Sequence, residues 1–378
     1  MSYPTVYVAV HAGAGNHGRT SEHSVKLVMK RACMEALRLA SPAGVDVLSI
    51  VERAIVELED DHDLNAGSGS NLTLDGAVEC DAAIMDGRTG DFGSVGAVSE
   101  GVKNPIKLAS AILDQSRKPD RLGRIRPLTL VSSGAHSFAI KKRLETVPPE
   151  SMISSRASMD WCKWVERHNK AGEAETPELE AIPEDVPQDT IGAVAWDNCG
   201  NVAAGVSSGG LLLKDSGRVG QAAIFGTGCW AQQSSDGQAG MACSISGSGE
   251  HIIRAGLARA IGDALQVAKN PGGAEEADVD VHDVLITTLT EQFCRPANER
   301  GVSHADVGVL LLTKEAQEGG CAIPRLWCAF TATSMAIAYA SSRKPIPKAM
   351  VLRRPQTASR SNLSETQPVY ITALRLHE

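Results

Sequence analysis

Asp189-Thr190-Ile191-Gly192 stands at an abrupt change in the sequence. Residues 171–189 carry seven acidic residues and no basic one, whereas Thr190 to Asp197 reads as a buried strand. A threonine at the start of a chain can do chemistry alone. Its hydroxyl attacks a carbonyl, and its own α-amine, with a reference pKa of about 7.7–8.0, takes the proton near neutral pH. An internal threonine gains that amine only if its hydroxyl first attacks the preceding peptide bond. A loose linker that ends on a rigid strand suits such a cut between Asp189 and Thr190. No Ser-His-Asp or Cys-His signature competes for the role.

Other segments could serve the same chemistry. Ser246-Gly247-Ser248-Gly249 precedes a helical stretch and exposes backbone N–H groups suited to an anion; its plainer reading is a helix cap. Arg218, between Gly217 and Val219-Gly220, offers a planar fork to a carboxylate; its plainer reading is a solvated surface arginine. Ser208 in Ser207-Ser208-Gly209-Gly210 and Asn65 in Asn65-Ala66-Gly67 also read as turn residues. The acids Glu57, Glu59, Asp60, Asp61 and Asp63 read as a solvated helix end, not a metal site. Gly13-Ala14-Gly15-Asn16-His17-Gly18 fits the dinucleotide-binding spacing. That motif needs a second strand after its helix, and a second helix follows here.

These residues must be placed by regular elements. Thr5 to Val10, 78–84, 190–197, 202–207, 222–227, 240–246, 307–313 and 326–332 read as strands. Residues 24–40, 45–59, 106–115, 135–144, 249–265 and 282–293 read as helices, with stripes such as Val47, Val51, Ile55 and Leu58. Residues 145–189 read as a flexible acidic linker, since they cannot bury enough apolar surface. Clustered strands with paired helices outside them predict sheets sandwiched by helices.

Taken together, the motifs resemble the plant-type asparaginase and glycosylasparaginase family of N-terminal-nucleophile hydrolases. The resemblance rests on Asp189-Thr190-Ile191-Gly192-Ala193-Val194, Gly200-Asn201-Val202, Ser207-Ser208-Gly209-Gly210, Gly217-Arg218-Val219-Gly220 and Ser246-Gly247-Ser248-Gly249-Glu250. Upstream it rests on His11-Ala12-Gly13-Ala14-Gly15, Asn65-Ala66-Gly67 and Cys80-Asp81-Ala82-Ala83. The threonine aspartase branch is echoed in Glu57-Leu58-Glu59-Asp60, Gly217 to Ala223 and Gly228-Cys229-Trp230-Ala231. The likeness thins after about residue 270.

The resemblance implies an α/β fold, a four-layer αββα sandwich, cut into an α-subunit of residues 1–189 and a β-subunit of 190–378. It implies Thr190 as nucleophile, Ser208 as the hydroxyl that orients it, and Asn65 facing the site from the α-subunit. It assigns Ser246 and Gly247 to the oxyanion hole and Arg218 to the substrate carboxylate. Asparaginases of the family carry an aspartate where Gln221 stands, pairing with the substrate ammonium. Gln221 therefore points to a protease cutting proteins after aspartate, its plainer reading being a hydrogen bond within the β-subunit; an asparaginase or isoaspartyl peptidase acting on small β-aspartyl compounds is the alternative. No metal or other cofactor is implied, and pairing of αβ units is left open.

Composition agrees with this class. The chain has 378 residues with 43% hydrophobic residues but 4% aromatic, so Ala, Val, Ile and Leu must fill the core. A net charge of −8 disfavours a nucleic-acid partner. Nine scattered cysteines without a C-x-x-C pair give neither a disulfide framework nor a zinc signature. The first residues lack a signal peptide, and no apolar run nears the roughly 20 residues that span a bilayer. An intracellular protein, cytoplasmic or nuclear and not secreted, is expected.

Overall fold

The computed structural model describes residues 5–40, 46–173, 190–197, 199–234, 239–269, 280–302, 305–315, 323–355 and 368–376. Eight strands form the first sheet: β1 (Val6–Gly15), β2 (Cys80–Asp86), β3 (Phe92–Val98), β4 (Thr129–Val131), β5 (Ile191–Asp197), β6 (Val202–Ser208), β11 (Ser334–Ser341) and β12 (Lys348–Arg353). Their order is β12-β11-β1-β5-β6-β2-β3-β4. The second sheet holds β7 (Cys229–Gln233), β8 (Gly240–Gly247), β9 (Val307–Glu315), β10 (Ile323–Phe330) and β13 (Tyr370–Arg375), in the order β13-β10-β9-β8-β7. Neighbours are antiparallel except β3 and β4. Both partners of β1 are antiparallel, so the glycines that begin within its last residues open no βαβ unit.

Strand side chains alternate between two apolar cores, because successive residues point to opposite faces. In β1, Val6, Val8, Val10 and Ala12 join the helices, whereas Tyr7, Ala9 and Ala14 join the space between the sheets. In β5, Ile191, Ala193 and Ala195 face the helices, and Val194 and Trp196 face the other sheet. The outer layer on the first sheet is α1 (Glu22–Leu37), α2 (Val47–Glu59) and α3 (Pro105–Ser116). The Asp46 side chain caps α2 by accepting from the Leu48 N–H at 3.1 Å, and Ile50, Val51, Ile55 and Leu58 bury its apolar stripe. Each such side chain contributes about 1.5–3 kcal/mol relative to exposure. Leu257, Ala258, Ile261 and Leu265 of α7 (Leu257–Lys269) cover the second sheet, completing the αββα order.

Several elements depart from the sequence reading. Residues 221–223 form a 3-10 turn and not the start of a strand, and the strand comes later, as β7. The 249–265 helix is broken at Gly256, whose φ of +54° ends α6 (Gly249–Ala255) in a left-handed cap. Part of the expected linker is ordered: α4 (Ser132–Lys142) is followed by α5 (Ser155–Glu173), whose Trp161 donates to the Thr73 carbonyl at 2.9 Å. Residues 174–189, including Asp189, lie outside the described residues. The chain then continues through α8 (Val281–Thr288), a π turn over Leu289–Cys294 and α9 (Arg295–Asn298). The acidic cluster is not wholly solvated either. Glu57 pairs with Arg31 and Arg53, but Glu59 is fully buried. No helix among the described residues is long and apolar enough to cross a membrane.

Gly192 shows how tightly the sheets meet. A Cβ there would run into Ser244 Oγ, His11 Nε2 and the Gly205 carbonyl. Gly192→Ala is predicted to destabilise the fold by about 1–3 kcal/mol through overpacking. Denaturant midpoints of the two proteins would measure it, and an unchanged midpoint would refute the packing argument.

Candidate active site

Antiparallel pairing sets Ile191 opposite Ser207, so Thr190 meets Ser208 at the mouth of the β5–β6 pair. Both are buried. Thr190 Oγ1 donates to Ser208 Oγ at 3.1 Å and accepts from Gln221 Nε2 at 3.0 Å. Ser208 Oγ also accepts from the Gly210 N–H at 3.0 Å, which fixes its lone pairs toward the turn after β6.

Asn65 secures that turn. Its Nδ2 donates to the Gly210 carbonyl at 2.9 Å, and its own carbonyl accepts from the Gly209 N–H at 2.9 Å. Its Oδ1 accepts from the Asn71 N–H at 2.9 Å. The bonds of Asn65 thus run to the turn behind Ser208. Ser246 lies on β8, fully buried, with its Oγ accepting from the Ala14 N–H at 3.2 Å. Gly247 follows with a φ of +133°, at a place where a Cβ would strike the Asp306 backbone.

Arg218 closes the other side. Its Nε donates to Glu250 Oε1 at 2.9 Å, and Nη2 lies 2.7 Å from the same oxygen. Its outer nitrogens are surrounded by glycines. A Cβ on Gly220 would sit 2.8 Å from Nη1, one on Gly210 3.1 Å from Nη1, and one on Gly249 2.6 Å from Nη2. That same position on Gly249 lies 2.7 Å from Gln221 Oε1. Gln221 therefore spans from the Thr190 hydroxyl toward the guanidinium. Gln221 was expected either to face the substrate or to hydrogen-bond within the β-subunit, and its contact with Thr190 is of the second kind.

Asp81 and Lys214 support this corner. Asp81 accepts from Ala97 N–H at 2.8 Å and Gly220 N–H at 2.7 Å. Burial pushes its carboxyl above the usual range, opposed by Lys214 and these two amides. Burial likewise lowers the Lys214 ammonium, which donates to the Glu79 carbonyl at 2.6 Å.

His11 was missed as a site residue. It is wholly buried, its Nδ1 accepts from the Gly13 N–H at 3.3 Å, and Nε2 lies 2.8 Å from Ser244 Oγ. The Gly13 contact assigns the proton to Nε2, and the Thr190 backbone bonds to the same ring. Only its place at the end of an apolar strand, opening His11-Ala12-Gly13, could have signalled it. Among the described residues, one trio of metal-ligand types lies close together: Asp280, His282 and Asp283. All three are exposed, and Asp280 is engaged in capping α8. Cys33, Cys80, Cys229, Cys243, Cys294 and Cys328 are buried free thiols.

Burial lowers the His11 pKa to about 3, partly offset by its bond to the Thr190 backbone. Its folded value lies below the unfolded one of about 6.5. The neutral ring thus adds stability above pH 6.5, and this is lost as pH falls toward 3. Spectra of ¹⁵N-histidine-labelled protein are predicted to show an untitrated His11 ring at pH 5. A His11 midpoint near 6.5 would contradict this.

A family model described as asparaginase matches residues 4–284. An isoaspartyl peptidase/L-asparaginase of Xenopus laevis is 34% identical over 273 residues, covering 72% of this chain and 80% of the relative. A plant-type L-asparaginase of Pyrococcus abyssi is 35% identical over 285 residues, covering 73% and 85%. A probable isoaspartyl peptidase/L-asparaginase of Arabidopsis thaliana is 33% identical over 278 residues, covering 68% and 80%. None of these three bears the name of the threonine aspartase branch. The match over most of its length and the two-sheet sandwich place the chain in the plant-type asparaginase and isoaspartyl peptidase family of N-terminal-nucleophile hydrolases.

Proposed function

We propose that the chain is a threonine-type hydrolase of aspartyl amide bonds, activated by a cut between Asp189 and Thr190. The observation that carries this is the Thr190 hydroxyl held between Ser208 and Gln221 at the start of β5. In the uncut chain the hydroxyl attacks the Asp189 carbonyl, the peptide nitrogen leaves as the Thr190 amine, and water hydrolyses the resulting ester. The products are an α-subunit of 1–189 and a β-subunit of 190–378.

In the processed enzyme the freed amine accepts the hydroxyl proton as Oγ1 attacks the substrate carbonyl. Ser208 orients the hydroxyl. Ser246 and Gly247 offer donors to the developing oxyanion, each commonly worth about 2.7–4 kcal/mol. The leaving nitrogen takes the proton, and water then releases the acyl group. Arg218 presents its glycine-walled end to the substrate carboxylate, and Asn65 holds the turn on which Ser208 depends.

Gln221 favours protein bonds after aspartate as the substrate. In an α-aspartyl bond the nitrogen next to the attacked carbonyl's carbon is a neutral amide. In a free β-aspartyl compound the corresponding nitrogen is an ammonium, on the carbon that bears the carboxylate. The carboxylates near Arg218 are committed, Asp81 to two amides and Glu250 to the guanidinium. An unpaired ammonium beside neutral Gln221 would cost about 1–3 kcal/mol. The names of the relatives support the second reading, an L-asparaginase or isoaspartyl peptidase acting on small substrates.

Two tests follow. Thr190→Ala is predicted to remain a single inactive chain, whereas the wild type yields two chains of 189 residues each on a denaturing gel. A fully active but uncut wild type would sink the nucleophile assignment. For specificity, ammonia release from asparagine, hydrolysis of a β-aspartyl dipeptide and cleavage of a peptide with an internal aspartate should be compared. The last should dominate, and Gln221→Asp should shift the balance toward free asparagine by roughly tenfold, the equivalent of about 1.4 kcal/mol. Efficient asparagine turnover with no cut after aspartate would establish the second reading instead.

A further inference from the structure

Glu59, the last residue of α2, lies under the site with no solvent exposure. Its Oε1 accepts twice, from Ser207 Oγ at 2.7 Å and from the Ile106 N–H at 3.0 Å. Its Oε2 is buried without a hydrogen-bond partner, and so is Oδ1 of Asn104. The two side chains are in contact. Asn104 Nδ2 donates to Asp60 Oδ1 at 3.1 Å, which fixes the amide so that its acceptor is the atom left over. Turning the amide over would give Glu59 a donor but set an amide oxygen against Asp60. Each of the two side chains thus keeps one buried acceptor without a hydrogen, and leaving such groups unpaired is costly.

We propose that Glu59 is a neutral carboxylic acid that donates from Oε2 to Asn104 Oδ1, and that this bridge is a positioning device for Ser208. Oε1 then acts as the carbonyl oxygen, which suits its two donors. Ser207 and Ser208 point to opposite faces of β6: one holds Glu59 and the other receives the Thr190 hydroxyl. Gly67, in the loop that begins at Asn65, lies so close that a Cβ would overlap the Glu59 backbone. Glu59 thus touches β6, the start of α3 and the Asn65 loop at once. The other titratable groups facing it are Asp60 on its own helix and Cys80 of β2, and neither stabilises a carboxylate. The contacts from α3 and β6 are neutral. Burial, outweighing the bonds from Ser207 and Ile106, raises the Glu59 pKa to about 8.

The test uses the full processed enzyme and Glu59→Gln, a neutral isostere whose amide donates to Asn104 as the acid does. The folded pKa is above the unfolded value of about 4.3. Wild-type stability relative to the variant should therefore be greatest below pH 4.3 and fall up to tenfold in folding constant per pH unit until about pH 8, then level off. Infrared difference spectra at pH 7 should show a protonated carboxyl band that the variant lacks. A wild type whose stability relative to the variant does not change with pH, or the absence of that band, would overturn the neutral acid. For positioning, Glu59→Ala should lower kcat at least tenfold with KM within twofold, and Glu59→Gln should restore it. An Ala variant with wild-type kcat would overturn the positioning role, and so would a Gln variant no better than Ala. If Ala fails to fold, the Gln variant's kcat decides that arm. The kcat arm rests on the Thr190 reading, whereas the stability and infrared arms do not, so failure of either idea is distinguishable.

Discussion

The antiparallel pairing of β5 with β6 is the constraint on which the site depends. It brings a threonine at the head of one strand against a serine at the tail of the next, at a point where both are buried. Both strands lie inside an eight-stranded sheet covered on each face, so neither can slip register. A shift by one residue would exchange Thr190 for Ile191 on the inter-sheet face and send Ser208 toward the helices. The two apolar cores forbid that exchange, so the alternation of the strands and the placement of Thr190 are one physical fact.

Charge around the site is arranged in relays. Glu250 takes the inner edge of Arg218, Asp81 ties down the loop that carries it, and Lys214 lies beneath with its ammonium on a backbone carbonyl. Each charge therefore has a fixed neighbour before any ligand arrives. Preorganised groups of this kind need not reorganise as charge develops. On the other side of Thr190, His11 supplies a neutral ring whose tautomer is set by Gly13. The site therefore keeps formal charge at the Arg218 end and neutral donors around Thr190.

Much of this was legible in the residues. The β-branched and aromatic run of Thr5 to Val10 marked β1, and the stripe Val47, Val51, Ile55, Leu58 marked α2, because burial on one face of a helix writes a period into the sequence. The motif residues Thr190, Ser208, Gln221 and Arg218 do converge. Three things were hidden. Glu59 read as solvated because its neighbours Glu57, Asp60 and Asp61 are acidic too, and only the packing of α3 and β6 separates it from them. Residues 222–227 read as a strand because Ala-Ala-Ile-Phe is apolar, yet Gly220 and Gly226 bracket a turn that aims the Gln221 amide at Thr190. Helix α5 was lost in the acidic linker because its own composition is polar, and it is held by contacts such as Trp161 with Thr73 that lie far away in sequence.

The walls around the outer end of Arg218 are backbone, since Gly210, Gly220 and Gly249 have no side chains to trim. At a wall built of leucine or phenylalanine, substitution can enlarge or shrink a cavity. Here every replacement adds atoms, so mutation at these three positions moves in one direction only, toward a smaller opening. A lineage that needed more room here would have to bend loops to find it, which is a rarer event than exchanging one side chain. The space at this corner is in that sense ratcheted: readily narrowed by single changes, and widened only by remodelling the chain.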